Sequence, residues 1–194
     1  KSNKNILTKN KINNSKKALS VIFAGNIGRF QDLENLIHAF NSVELSKVKL
    51  FIIGEGKELK NLKKIKLKFS NIIFKGWLSP IKTEEYILKS DLAIVSLKNN
   101  VINYAYPSKT ITYIRNGIPI ASIVEKKSEL AKLLLKEKIG FNIPENNIQT
   151  IKNSFMRWSN SATLQKDLKK EASKKKDEIF KSANIIQSWL ALFN

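Results

Sequence analysis

The sequence contains no cysteine, which excludes a disulfide framework, a thiolate metal site and a thiol nucleophile. Its single histidine, His38, excludes chemistry that needs two imidazoles within this chain. Arginine is nearly as scarce: of 35 basic residues only Arg29, Arg115 and Arg157 carry a guanidinium. Nucleic-acid readers lean on that rigid fork for bidentate contacts. A net charge of +19 built from lysine therefore disfavours nucleic acid as the partner. Lysine, asparagine and isoleucine are abundant together, which a biased coding composition produces without selection for a partner. The positive field still attracts anions, whether phosphates or an acidic membrane surface. No run approaches the roughly 18 apolar residues of a membrane span, and no stretch reads as a signal peptide.

What is present is an ordinary globular balance, with 42% hydrophobic residues in 194, enough for one domain with a real core. The chain begins at Lys1, which reads as a piece of a longer protein, or as a processed or engineered chain. Residues 1–19 are polar, lysine- and asparagine-rich and free of acid, as expected of a linker leading in from a preceding domain. Residues 20–194 read as the folded unit, ending in helices.

The organising stretch is Ser20–Phe40. Val21–Phe23 is the apolar run of an interior parallel strand. Gly25–Arg29 is a turn, and Leu33, Leu36, Ile37 and Phe40 recur on one face of a helix. The G-x-x-G spacing differs from the G-x-G-x-x-G dinucleotide fingerprint. Further strands are expected at Lys47–Gly54, Asn71–Phe74, Asp91–Leu97 and Ile118–Val124, five in all. Gly140–Ile143 reads only as a short extended piece. Helices are expected around Leu59–Phe69, over Ile81–Lys89, over Ser128–Lys138, and from Ile148 nearly to the end with a break near Ser159–Ala162. A further helix starts near Pro107, with Ser108 as its cap, and ends at Gly117. Five alternations of strand and helix predict an α/β fold, a Rossmann-like parallel sheet with helices on both faces. In such sheets ligands bind beyond the carboxyl ends of the strands.

The turns after the strands therefore carry the candidate site. They offer backbone N–H groups, Arg29, Lys57 and Lys109, with Glu55 as the one acid, a cationic rim suited to a diphosphate. Lys109 and Thr112 share a helix face, so the lysine could meet a phosphate and the threonine a sugar oxygen. Lys109 reads equally as a solvated lysine. Trp77 could stack on a base, although a tryptophan is more often a large core residue. His38 falls off the apolar stripe and is expected on a flank or in solvent. The turns show no paired carboxylates, no metal-ligand set and no nucleophile elbow.

The segments AGNIGRFQDLENLIHAF, FIIGEGKELKNL, NIIFKGWL, SDLAIVSL and YPSKTITYIRNGIPIAS follow one another in an order that resembles the C-terminal, sugar-nucleotide-binding domain of GT-B glycosyltransferases. The resemblance is nearest to the family 4 retaining enzymes of the bacterial branch that builds surface polysaccharide and O-antigen, and it covers about residues 20–150. It implies a preceding acceptor domain, and a cytoplasmic or inner-membrane-peripheral enzyme that takes a UDP- or GDP-sugar as substrate without a further cofactor. The acceptor, a glycan or lipid-linked sugar, would be bound by the preceding domain.

The resemblance also implies a donor site drawn from Gly25, Asn26, Gly28, Arg29, Gln31, Gly54, Lys57, Trp77, Leu78, Ser108, Lys109 and Thr112. Within it the first turn and Lys109 would meet the diphosphate, the Gly76–Leu78 segment the base, and the helix after Pro107 the ribose. Asn26 and Gln31 stand where many members carry arginine and lysine, with Arg29 available to supply charge. The family's Glu-x7-Glu pair falls at Tyr104 and Thr112, neither of which is acidic. Two rival readings accompany this one: a non-catalytic GT-B-like interaction module with a degenerate donor site, and a basic binder of nucleic acid or membrane surfaces.

Overall fold

The structure, a computed structural model, describes residues 18–99, 101 and 107–179. The lead-in up to residue 17, Tyr104, and the part of the last expected helix beyond Ile179 lie outside those residues. Strands β1–β6 are Ser20–Ala24, Lys49–Ile53, Ile72–Gly76, Leu92–Ser96, Ile120–Ile123 and Gly140–Ile143. Helices α1–α7 are Glu34–Phe40, Leu59–Leu62, Pro80–Lys89, Ser108–Arg115, Glu129–Glu137, Ile148–Ser159 and Ala162–Ile179. Strand and helix alternate from β1 to α6, with one added 3-10 turn at Val43–Leu45, and α7 follows α6 directly.

All strands pair in parallel, in the order β3-β2-β1-β4-β5-β6. The order reverses direction between β1 and β4, as in a doubly wound Rossmann-like sheet. Side chains alternate across β1: Val21 and Phe23 face a core with Leu36, Phe40, Phe155 and Trp158 of α1 and α6. Ile22 and Ala24 face a second core with Ile87, Tyr113, Leu130 and Ala172 of α3, α4, α5 and α7. The Phe40 and Phe155 rings meet edge-on at 4.8 Å, locking α1 to α6. Asn71 ties β3 to the first core: its buried amide donates to the carbonyls of Phe40 and Leu45 at 2.9 and 3.1 Å. Among the described residues no helix is long and apolar enough to cross a membrane.

Three sequence expectations need correction. The sheet has six strands, not five: Gly140–Ile143 pairs with β5 because Gly140, lacking a side chain, lets the chain close against the Ile120 carbonyl. The helix after β2 is one turn long. Beyond Lys63 the backbone tightens into i→i+3 bonds, Lys64 to Asn61 and Ile65 to Leu62, where exposed lysines crowd the outer face. The expected cap Ser108 is instead the first helical residue of α4, and Pro107 holds the cap position with extended backbone.

Candidate functional site

The site begins where β1 and β4 part. They pair at Val21–Leu92 and Ile22–Ala93 and at no later position. Past that point the Ala24 N–H donates to the buried Tyr113 hydroxyl at 3.1 Å instead of to a strand. The parting opens a crevice at the switch point, with the amino end of α4 beside it. On the other side, the turns after β1, β2 and β3 are laced together. Gly25 N–H donates to Ile53 O at 2.9 Å, Gly54 N–H to Gly76 O at 2.7 Å, and Ile27 N–H to Glu55 O at 2.7 Å. Gly54 has φ +129°, and a Cβ there would collide with the Gly25 carbonyl, so the two turns can touch only through glycine.

These segments wall a cleft of about 590 Å³. Gly25, Asn26 and Gly54 form one end of it. Trp77 and Leu78 follow β3 at another side, and Thr83 and Glu84 of α3 face Thr112 and Arg115 of α4. Trp77 is 66% exposed, so it is not the core residue that tryptophan statistics suggest; its indole is presented to the cleft. Glu84 and Arg115 form an ion pair at 3.3 Å.

Lys109 lies beside the Gly25 end. A Cβ on Gly25 would stand 2.8 Å from its Cε, and its ammonium sits 5.0 Å from the centroid of the Phe23 ring. Burial pushes its pKa down, and among the described residues it forms no ion pair. A half-buried, unpaired cation against a glycine turn is a ready partner for an anion. Lys109 is thus half-buried rather than fully solvated.

Other expected site residues lie elsewhere. Gly28 and Arg29 line a smaller neighbouring pocket of about 270 Å³, between the first turn and α2. The exposed Arg29 guanidinium faces Glu58 at 3.6 Å. The Gln31 side chain accepts the Gly28 N–H at 2.9 Å and so holds the turn's shape. Lys57 is exposed on the turn after β2 and borders neither pocket, and Ser108 is exposed at the start of α4. His38 is half-exposed on α1, 3.9 Å from Glu34. Tyr104 lies outside the described residues. Sequence reasoning missed Glu84, Arg115, Thr83 and Tyr113. The first two meet across 31 residues, a separation that carries no local signal. Among the described residues no group of three or more histidine, aspartate or glutamate side chains could hold a metal ion.

Three comparisons bear on this arrangement. The family model described as glycosyl transferases group 1 matches residues 5–175. A probable glycosyltransferase of Pseudomonas aeruginosa, WbjE, is 29% identical over 126 residues, which are 64% of this chain and 32% of that protein. The chain thus spans about a third of that relative's length. Among solved structures, S. aureus TarM in a complex that includes UDP superposes with TM-score 0.70 at 18% identity, over 92% of this chain and 36% of that one. The catalytic domain of the Helicobacter pylori cholesterol-α-glucosyltransferase superposes with TM-score 0.69 at 18% identity, over 82% and 97% of the two chains. At such identities the structural likeness speaks for the shared fold.

Proposed function

Because the chain belongs to the glycosyl transferases group 1 family, we propose that it forms the donor-nucleotide half of a GT-B glycosyltransferase. It would bind a nucleoside-diphosphate sugar, UDP- or GDP-linked, for hexosyl transfer in bacterial surface polysaccharide or O-antigen synthesis. The match to WbjE, a probable glycosyltransferase, and the UDP in the TarM complex support this reading. The acceptor, a glycan or lipid-linked sugar, is assigned to a preceding domain, with peripheral contact to an anionic membrane through the lysine-rich surface.

The observation that carries the reading is Lys109, an unpaired and half-buried ammonium beside Gly25 at the switch point. As the glycosidic bond breaks, negative charge builds on the departing diphosphate. A fixed cation and preorganised N–H donors stabilise that charge most where water is scarce. Arg29, Lys57 and the start of α4 at Ser108 lie on the same end of the sheet and add to the field. Asn26 borders the cleft, and Gln31 holds the adjoining Gly28 end of the same turn. Trp77 and Leu78 supply an apolar wall for the base, and Thr112 a hydroxyl for the sugar of the nucleotide.

Calorimetric titration of UDP and GDP into the chain tests the reading. Saturable binding of at least one nucleotide is expected, and no heat at millimolar nucleotide would overturn it. Thr112, neutral where the family resemblance expects an acid, favours one second reading: an interaction module whose donor site has degenerated. That reading predicts the silent titration.

A further inference from the structure

We propose that Glu84, held in place by Arg115, is the carboxylate that accepts the ribose 2′-hydroxyl of the bound nucleotide. This rests on the donor-site reading above and adds a residue to it. A nucleoside diphosphate presents an anion, a flat base and, between them, a vicinal diol. The cleft presents an indole at Trp77 and, on its remaining wall, Thr83, Glu84, Thr112 and Arg115, with the Lys109 cation beside its Gly25 end.

Only two carboxylates border the cleft among the described residues, Glu55 and Glu84. Glu55 stands on the turn between Gly54 and Gly56, at the end shared with Gly25 and Asn26, where a diphosphate would repel it. Glu84 stands on the wall opposite. Arg115 donates to its Oε1 at 3.3 Å, and Oε2 has no partner among the described residues. The pairing matters in two ways. It fixes the carboxylate's position, and it offsets a charge that would otherwise oppose a dianion.

Arg115 follows Thr112 by three residues, so the two share a face of α4 one turn apart. The Glu84 carboxylate held at Arg115 and the hydroxyl-bearing Thr83 and Thr112 thus border the same cleft. One ribose hydroxyl can donate to Glu84 Oε2 while the other meets a threonine. A hydrogen bond to a carboxylate is roughly twice as strong as a neutral one, so Glu84 dominates the pair.

The test is calorimetry on the 194-residue chain with UDP, GDP and their 2′-deoxy counterparts, for the native protein and for Glu84→Gln. The native chain is expected to bind the ribonucleotide about tenfold more tightly than its deoxy form, the effect of one charge-assisted bond. Glu84→Gln is expected to bring the two to near parity without lowering the melting temperature, because the Glu84 side chain is 43% exposed. Equal affinities in the native chain, or a preference that survives Glu84→Gln, overturn the proposal while leaving the donor site standing. A variant that changes the choice between UDP and GDP, with the ribose preference intact, also overturns it, since Glu84 would then contact the base. If neither nucleotide binds at millimolar concentration, the donor-site reading falls and this proposal with it.

Discussion

Lys109 fills the space that a side chain at Gly25 would need. A Cβ on Gly25 would stand 2.8 Å from Lys109 Cε and 3.1 Å from Nζ, and Gly25 itself has φ +127°. The conformation and the contact both require glycine. Gly25→Ala should therefore push the lysine aside and strain the turn, costing about 1 kcal/mol or more of stability. Because the obstructing atoms are the far end of a flexible side chain, the protein should still fold. Thermal denaturation should show a modest loss, and calorimetry a larger fractional loss of nucleotide affinity.

The same lysine makes a stability prediction with a definite sign. Burial lowers its pKa in the folded chain below the ordinary value of 10.5. Between the two values the unfolded chain holds a proton that the folded chain has released, so stability rises with pH across that window. Below it, a desolvated charge opposes folding. Lys109→Met should raise the urea midpoint at pH 7, the gain being reduced by the lost contact with the Phe23 ring. The gap between variant and native chain should narrow as the pH approaches 10.5. A variant less stable than the native chain at pH 7 would mean that the cation over the ring outweighs its desolvation.

Tyr113 is the pin that holds the crevice open. Its hydroxyl accepts the Ala24 N–H at 3.1 Å in a buried position, and burial pushes its phenol far above the usual range, so it stays protonated. Tyr113→Phe leaves that N–H without a partner, at a cost of about 1–3 kcal/mol. Urea denaturation at neutral pH measures it. A cost near zero would mean that β1 re-pairs with β4 past Ile22.

Of the three tryptophans, the two among the described residues, Trp77 and Trp158, report separately, being 66% and 1% exposed. Nucleotide binding should quench the exposed indole, and Trp77→Leu should abolish the quench and weaken binding by about tenfold, the low end of base stacking on an aromatic. Its melting temperature should barely move. Quenching that survives Trp77→Leu would place the base elsewhere.

The sheet was legible because β1, β2, β4 and β5 are continuous apolar runs, and a strand buried on both faces needs such a run. β6 was not, because Gly140, Phe141 and Asn142 are only half-buried at an edge, and the run never forms. Leu59, Leu62, Ile65 and Phe69 keep a helical period in a segment that is helical only to Leu62, since periodicity records which residues turn inward and not whether the backbone hydrogen bonds persist. Within the site, the glycine turns were readable from type and spacing. The state of each charge was not. Arg29, rare and conspicuous, faces Glu58, while Lys109, one lysine among many, is the desolvated one. Burial and long-range pairing decide such matters, and both depend on contacts such as Glu84–Arg115 that only the folded chain brings together.

The most direct test of the donor cleft is hydrogen exchange with and without saturating UDP or GDP. Amides of Gly25–Arg29, Gly54–Glu58, Gly76–Leu78 and the first turn of α4 should slow together on addition of nucleotide, with Lys109→Met reducing the effect. No protection, or protection confined to the lysine-rich stretch after Leu62, would contradict a nucleotide site at the parting of β1 and β4.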